Sequence, residues 1–206
     1  MSDKPTVYFV DDDESIRRTF PVAFESDQYR IKTFDCADAF LSEFDPSLPG
    51  CLVLDLRMPG MSGIALQQEL ISRGWTIPII FFTGFGDIDI ATQAMKLGAV
   101  YFFQKPADLN RLVESITEAI ALDNQVRVRF ERQSDLTQRL EKLTPRQHQV
   151  LQMIKDGLTS KQIATKLGRS IKTVEVHRSQ VMKKLGARCV ADLMRIILQV
   201  EAAVPE

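Results

Sequence analysis

Short apolar runs alternate with segments of helical spacing along the first 122 residues. Each apolar run is rich in β-branched or aromatic residues, and the segment after it places apolar residues three or four positions apart, which is typical of βα units. Five such units in this length predict an α/β fold with a doubly wound, five-stranded parallel sheet. Four of the predicted strands are Thr6–Val10, Arg30–Phe34, Ile77–Phe82 and Val100–Phe103. The third strand in chain order is the apolar run that begins at Cys51 and has Asp55 near its carboxyl end. The predicted helices are Ser15–Phe24, Ala37–Phe44, Gly63–Ser72, Asp87–Leu97 and Asp108–Leu122.

The pattern changes after residue 122. Residues 123–142 lack Pro and Gly, which predicts a helical linker continuing the fifth helix. Its spaced apolar residues, such as Val126 and Phe130, leave two interpretations open: a solvated connector or a helix that supports a dimer. Residues 143–206 predict four short helices, each bounded by a cap or a Gly. They are Thr144–Lys155, Lys161–Leu167, Lys172–Leu185 and Ala187–Val200, the last with a buried stripe of Val190, Leu193, Ile196, Ile197 and Val200.

Two of these short helices joined by a Gly-containing turn form a helix-turn-helix unit, so the second domain is predicted to be all-α and tetrahelical. The sequence therefore divides into a first domain of residues 1–122, a linker of residues 123–142 and a second domain of residues 143–206. On the helix Lys172–Leu185, the spacing of Val174, Val181 and Leu185 predicts a buried face.

Charge separates the two halves of the chain. Residues 1–122 hold 10 Lys+Arg and 18 Asp+Glu, net −8, whereas residues 123–206 hold 16 and 9, net +7. Residues 144–200 alone hold 11 Lys+Arg and 3 Asp+Glu, net +8. Such a basic domain favours a polyanionic partner, so it is a candidate for binding nucleic acid.

The cysteines and the absence of long apolar runs indicate the compartment. Cys36, Cys51 and Cys189 are odd in number and lack metal-ligand spacing, which favours reduced thiols in a reducing environment. No basic-plus-apolar leader and no run of about 18 apolar residues is present. We therefore expect a cytoplasmic protein.

Polar residues stand where several predicted strands end. The ends of the first, third, fourth and fifth predicted strands supply, in that order, Asp11 and Asp12, Asp55, Thr83, and Lys105. In a parallel sheet these ends lie along one edge, where a divalent cation such as Mg²⁺ would relieve the repulsion between carboxylates. With Asp55 as nucleophile and Lys105 and Thr83 as partners of phosphoryl oxygens, this set suits phosphoryl transfer to an aspartate. The alternative for Asp55 is a structural turn cap.

The same residues carry a resemblance to a known family. Asp11-Asp12, Asp55 followed by Met58-Pro59-Gly60-Met61-Ser62-Gly63, then Thr83 and Lys105-Pro106, make residues 5 to about 122 similar to the receiver domain of two-component response regulators, a flavodoxin-like fold. The resemblance implies Mg²⁺ held by Asp11, Asp12, Asp55 and the backbone carbonyl of Arg57. It implies that Asp55 takes a phosphoryl group from a sensor histidine kinase, that Thr83 and Phe102 switch, and that the region Asp87–Phe103 forms a dimer face. Plain core packing is the alternative for Phe102.

The second domain resembles the LuxR-type output domain of the FixJ and NarL regulators. The residues that carry the likeness include Leu143-Thr144-Pro145-Arg146-Gln147, Lys161-Gln162-Ile163-Ala164 and Thr173-Val174-Glu175-Val176-His177-Arg178. The resemblance places the third helix of the domain in the major groove of double-stranded DNA. The DNA-binding candidates are Lys172, Thr173, Val176, Arg178, Ser179 and Lys183. Glu175 is expected to pair with a basic neighbour in preference to cytosine, and His177 to pack or contact phosphate.

The function these resemblances imply is a phosphorylation-switched, homodimeric transcription factor that binds a two-fold promoter site, with RNA polymerase as a further candidate partner. It is not expected to turn over a separate substrate. A phosphorylation-independent dimeric regulator is the alternative. A hydrolase on the same sheet would need an acid-base residue two positions after the nucleophile, where this chain has Arg57.

Overall fold

Residues 6–104 contain a five-stranded parallel sheet in a computed structural model that describes residues 4–201, with side chains to residue 198. The strand order is β2-β1-β3-β4-β5, and every neighbouring pair is parallel. The strands are β1 Thr6–Val10, β2 Arg30–Phe34, β3 Gly50–Leu54, β4 Ile79–Thr83 and β5 Tyr101–Gln104. The predicted doubly wound α/β fold is confirmed.

Nine helices occur among the described residues. In the first domain they are α1 Glu14–Ala23, α2 Ala37–Glu43, α3 Gly63–Ser72 and α4 Ile88–Lys96. The helix α5, Leu109–Glu141, leads into α6 Pro145–Lys155, α7 Ser160–Leu167, α8 Ile171–Leu185 and α9 Val190–Glu201. The prediction that the linker continues the fifth helix is confirmed, because α5 runs unbroken for 33 residues.

Two apolar layers cover the two faces of the sheet. One contains aromatic residues of β1 and α2, where the rings of Tyr8 and Phe40 meet edge-on at 5.5 Å. The other joins α1 and α5 to the opposite face, where the rings of Phe9 and Phe20 stack at 3.9 Å. Burial of β1, β3 and β4 on both faces explains why these three strands are almost continuously apolar and do not alternate.

Two predicted elements start two or three residues too early, each for an identifiable reason. The strand predicted over Ile77–Phe82 is Ile79–Thr83, since Pro78 has no N–H to give to the ladder. The last helix begins at Val190 and not at Ala187, because Cys189 accepts a hydrogen bond from the backbone N–H of Asp192 at the helix start. Val190 was expected in the buried stripe of that helix but is 43% exposed.

The other members of the predicted stripe differ in burial. Leu193 and Ile197 are buried and Ile196 is half-buried, whereas the side chain of Val200 lies outside the described residues. Leu193 and Ile197 belong to a third core made by α6–α9, which also includes Val150 and Ile163. Each of α6 and α7 begins with a capping box of Thr and Gln, so the N–H groups of the first turn are satisfied.

Internal contacts divide the chain into two compact units, with the division between Arg127 and Val128. The first unit contains the sheet and its two apolar layers, and the second contains the core of α6–α9. The helix α5 crosses this division. No helix in the described part of the chain has the length and apolar character needed to span a membrane.

Candidate functional site

The residues predicted at the strand ends meet at the carboxyl edge of the sheet. Asp11 follows β1, Asp55 follows β3 and Lys105 follows β5, while Thr83 is the last residue of β4. Backbone hydrogen bonds continue past the strands: the N–H of Asp55 donates to Val10, and the N–H of Lys105 donates to Thr83. The parallel ladder thus fixes where each side chain emerges.

Lys105 lies between two buried carboxylates. Its Nζ is 2.5 Å from Oδ2 of Asp11 and 3.4 Å from Oδ1 of Asp55. Asp11 is 1% exposed and Asp55 5% exposed. Carboxylates out of contact with water need a compensating charge, and the Lys105 ammonium provides it for both.

Backbone amides orient the same two carboxylates. The N–H of Arg57 donates to Oδ2 of Asp55 at 2.8 Å, and the N–H of Asp13 donates to Oδ1 of Asp11 at 3.0 Å. Burial raises the pKa of Asp11 above its ordinary value, and the hydrogen bonds from Lys105 and Asp13 oppose that rise. Asp12, the next residue, is exposed to solvent. The arrangement holds one carboxylate, Asp55, at a fixed position beside a cation.

The side chains at this edge have the donor chemistry that Mg²⁺ requires. Among the described residues there is no group of three or more His, Cys, Asp or Glu side chains arranged as a metal site. Mg²⁺, however, is held by about one or two carboxylates together with water and phosphate oxygens. Asp11 and Asp55 already converge on one positive charge, that of Lys105, with Asp12 adjacent in sequence. The residues present therefore fit the ion.

Thr83 and Phe102 lie on the two strands next to the acidic pair. Thr83 is fully buried, and its Oγ1 accepts a hydrogen bond from the backbone N–H of Phe85 at 3.2 Å. Phe102 is half-buried, pairs with Phe81 across β4 and β5, and its ring centroid lies 6.1 Å from that of Phe81. The structure thus places Thr83 at the carboxyl edge of the sheet and Phe102 two residues before the end of β5.

Gly63, the first residue of α3, allows the turn after Asp55 to close. A Cβ at Gly63 would lie 2.3 Å from the carbonyl oxygen of Asp55 and 3.1 Å from the ring of Phe81. Sequence reasoning did not identify this close approach. The feature of the sequence that could have indicated it is Gly63 itself, directly after the N-cap Ser62.

A buried ion pair at the opposite end of β3 was missed altogether. Asp123 of α5 is 3% exposed, and its Oδ2 accepts from the N–H of Gly50 at 2.9 Å and from Nε of Arg127 at 2.7 Å. The Arg127 Nη1 also donates to the carbonyls of Pro46 and Ser47, each at 2.9 Å. These contacts fasten α5 to the loop before β3. In the sequence, the only indication of this ion pair is the i, i+4 spacing of Asp123 and Arg127.

The helix α8 presents one buried and one exposed face. Val174, Val181 and Leu185 are at most 1% exposed, as predicted. Val174 and Val181 lie in the same helical turns as the exposed DNA-binding candidates. Those exposed candidates are Lys172, Thr173, Val176, Ser179 and Lys183. The second and third helices of the unit, α7 and α8, are joined by a turn with Gly168 at φ +57°, as a helix-turn-helix requires.

Three other residues of α8 behave differently from these exposed candidates. Arg178 is half-buried, and its Nη1 donates to the carbonyl of Leu158 at 3.4 Å, so it braces the domain interior. The expected ion pair of Glu175 is not found among the described ion pairs. His177 is half-buried, and its Nδ1 has no hydrogen-bond partner within the described part of the chain.

Comparisons with protein families match both the part of the chain that contains the sheet and the part that contains the helix-turn-helix. A model of the response regulator receiver domain matches residues 7–117, and a model of the bacterial regulatory proteins of the luxR family matches residues 141–197. The chain therefore belongs to the two-component response regulators that join a receiver domain to a LuxR-type DNA-binding domain, and it is a transcriptional regulator. The resemblance stated from the sequence is confirmed. Receiver domains generally use Mg²⁺ for phosphorylation.

Individual relatives match along nearly the whole chain. The response regulator protein TodT of Pseudomonas putida is 40% identical, with 95% of this chain and 87% of TodT covered. The transcriptional regulatory protein FixJ of Azorhizobium caulinodans is 36% identical, with 96% and 94% covered. The solved structure of the response regulator StyR has a TM-score of 0.88 at 44% identity and covers 95% of this chain and 99% of StyR.

Proposed function

We propose that Asp55 accepts a phosphoryl group from the phosphohistidine of a sensor histidine kinase, and that this modification switches dimerisation and DNA binding. The observation that carries the proposal is the position of the Asp55 carboxylate. It is 5% exposed, oriented by the N–H of Arg57, and faces the ammonium of Lys105. A capping Asp at a turn would not need a buried cation from another strand.

The proposed transfer requires little covalent chemistry from the protein. A carboxylate oxygen of Asp55 attacks phosphorus, the phosphorus–nitrogen bond breaks, and the imidazole of the kinase keeps the bonding electrons. The product is an acyl phosphate on Asp55. Lys105 then pairs with an oxygen of the phosphoryl group, since its Nζ already lies 3.4 Å from Asp55 Oδ1.

Mg²⁺ would be held by the carboxylates of Asp11, Asp12 and Asp55 and by the backbone carbonyl of Arg57. When bound, the ion neutralises charge on the phosphoryl oxygens. Asp11 and Asp55 supply two carboxylates that converge at the edge of the sheet, and exposed Asp12 lies next in the chain. The ammonium of Lys105 holds the carboxylate of Asp11 in place through its 2.5 Å contact and opposes the rise in the pKa of Asp11 that burial causes.

The switch is proposed to begin at Thr83. Its hydroxyl proton is available to a phosphoryl oxygen, because the Thr83 oxygen acts as acceptor for Phe85. The aromatic ring of Phe102 follows into the space that Thr83 leaves. The dimer face lies in the region Asp87–Phe103, where Ile88 is 83% exposed and Met95 46% exposed. Exposed apolar residues of this size suit a protein–protein contact.

DNA binding is assigned to the exposed face of α8, which would enter the major groove. Val176 and Ser179 would contact base edges, while Lys172, Thr173 and Lys183 would contact phosphates. Two output domains brought together by the dimer would bind a two-fold promoter site. Arg178 is proposed to lie near phosphate as well, with its Nη1 donating to the carbonyl of Leu158.

The proposal assigns residues 1–122 to the receiver, 123–142 to the linker and 143–206 to the output domain. It places the protein in the cytoplasm, with a sensor kinase, double-stranded DNA and RNA polymerase as partners. The receiver catalyses only its own phosphorylation.

The first test is intact-protein mass after incubation with acetyl phosphate and Mg²⁺. We expect one phosphoryl adduct on the wild-type protein and none on Asp55→Ala, since the nucleophile is gone. Asp27→Ala, which removes an exposed carboxylate outside the site, should be labelled like wild type. The DNA affinity of each protein is measured before and after labelling.

Inducible DNA binding in the Asp55→Ala protein would refute the proposed switch. Absence of an adduct on folded wild-type protein, together with dimers and DNA binding without modification, would support the phosphorylation-independent regulator.

A further inference from the structure

Gln147 is a buried glutamine in the first turn of α6 that contacts α8. The residue is 4% exposed. Its Oε1 accepts from the backbone N–H of Thr144 at 3.0 Å and from Nζ of Lys184 at 2.8 Å. A backbone N–H and an ammonium can only donate, so the atom that receives both must be the amide oxygen. The other end of the amide, Nε2, is therefore a donor of hydrogen bonds.

The amide of Gln147 in turn fixes the amide of Gln180 on α8. Nε2 of Gln147 donates to Oε1 of Gln180 at 3.0 Å. Because an N–H group needs an acceptor, the end of the Gln180 amide that meets Gln147 is its oxygen. Gln180 is exposed, so its amino group, which carries two N–H donors, is available to a ligand outside the domain.

The position of Gln180 in α8 places it on the exposed face of that helix. It lies four residues after Val176 and three residues before Lys183, and residues at these spacings share one side of a helix. Val176 and Lys183 are both exposed and belong to the face that is proposed to enter the major groove. A side chain between them reaches the same groove.

The orientation of the Gln180 amide decides which base it can recognise. A glutamine with both ends of its amide free reads adenine, accepting from N6 and donating to N7. The oxygen of Gln180 is already engaged by Gln147, so the side chain presents donors. In the major groove guanine shows two acceptors, N7 and O6, whereas adenine shows one acceptor and one donor, cytosine a donor, and thymine one acceptor beside a methyl group. A group that only donates therefore favours guanine.

We propose that Gln180 is a specificity-determining residue that donates hydrogen bonds from Nε2 to O6 and N7 of a guanine in the promoter site, and that Gln147 is the positioning residue that orients it. The inference rests on the proposed function, in which the exposed face of α8 enters the major groove. Lys184 stabilises the arrangement, because its Nζ also donates to the carbonyl of Lys142 at 2.7 Å. The ammonium thus stays beside the oxygen of Gln147 and holds the amide in one orientation.

Gln147→Glu tests the orientation without altering the exposed face of α8. A carboxylate still accepts from Thr144 and Lys184, but it has no N–H to donate to Gln180. The amide of Gln180 then turns its amino group toward the carboxylate and its oxygen outward. We expect the preference for guanine to fall about tenfold, and a preference for adenine or cytosine, whose amino groups donate, to replace it at the same position.

The measurement is selection from random double-stranded DNA by the full-length protein, with and without acetyl phosphate and Mg²⁺, followed by sequencing and titration of the selected sites. Gln180→Ala should lose the guanine preference at one position of each half-site and keep the other positions. Gln149→Glu is the matched control, since it makes the same change of charge at an exposed position of α6 and should select the wild-type sites. Val176→Ala should change the preference at a different position, which tests the docking of α8 separately.

Circular dichroism and thermal melting confirm that each variant is folded, and the exposed substitution Gln180→Ala decides the base contact if Gln147→Glu is not. An equal loss of affinity on every sequence in Gln180→Ala would mean that Nε2 contacts a phosphate, and would overturn the reading of guanine. An unchanged guanine preference in Gln147→Glu would overturn the positioning role of Gln147.

The Val176→Ala protein separates this inference from the proposed function. If its base preference changes and that of Gln180→Ala does not, the inference fails and the docking of α8 stands. If neither preference changes, α8 does not enter the major groove and the proposed DNA contacts fail with it.

Discussion

At the scale of single residues, Lys105 is the group on which the acidic site depends. It is the cation in contact with both Asp11 and Asp55 among the described ion pairs. Lys105→Met leaves two buried carboxylates without that charge, so we expect the free energy of unfolding in EDTA to fall by about 2 kcal/mol. Urea denaturation measures it. Mg²⁺ should restore part of the loss, because a divalent cation compensates the same carboxylates.

The control is Lys32→Met, which breaks the ion pair between Lys32 and Glu43. Both side chains are more than half exposed and their charges are 3.8 Å apart. A surface pair of this kind contributes about 0–1 kcal/mol, and Mg²⁺ should have no effect on the variant. If the two variants lose the same stability, Lys105 does not have the role assigned to it.

At the scale of elements, α5 is fastened to the sheet by Arg127. Its guanidinium pairs with Asp123 and donates to Pro46 and Ser47. Arg127→Leu keeps much of the aliphatic volume but leaves a carboxylate that is 3% exposed without its cation. We expect a loss of about 3 kcal/mol in the stability of the receiver unit, measured by urea denaturation.

Arg139→Leu is the matched control on the same helix. Arg139 pairs with Asp135 at the same i, i+4 spacing, but the two side chains are 41% and 54% exposed. We expect this change to cost less than about 0.5 kcal/mol. Equal losses in the two variants would show that burial of the pair is irrelevant, contrary to the prediction.

At the scale of the whole molecule, charge divides the chain into an acidic half and a basic half, and the basic half contains the LuxR-type DNA-binding domain. The net charges are −8 for residues 1–122 and +7 for residues 123–206. Lys183→Ala removes one proposed phosphate contact from each protomer, so the slope of log affinity against log salt for the bound dimer should become shallower by about 2. The loss should be similar on specific and non-specific DNA. Fluorescence anisotropy over a salt series measures both.

Lys4→Ala provides the comparison, since it removes the same charge from an exposed position in the acidic half. It should leave the slope unchanged. A slope that responds equally to both changes would indicate that total charge, and not α8, determines the salt dependence.

The sequence alone was sufficient to predict the sheet, its helices and the set of residues at its carboxyl edge. Strands buried on both faces must be almost wholly apolar, so their ends are visible as the first polar residues, Asp11 and Asp55 among them. Parallel connections then bring those ends together in any doubly wound sheet. The four short helices of the output domain were also predictable from the sequence, because caps and Gly residues mark their limits.

Only the tertiary structure decided which side chains contact one another. Arg178 and Lys183 are both basic residues of one helix, yet the first donates to Leu158 inside the domain and the second is exposed. Likewise Asp123 and Arg127 have the spacing of an ordinary surface pair, and their burial against Gly50 appears only when α5 packs on the sheet. Periodicity specifies a face within one element, whereas burial and pairing depend on the element that packs against it.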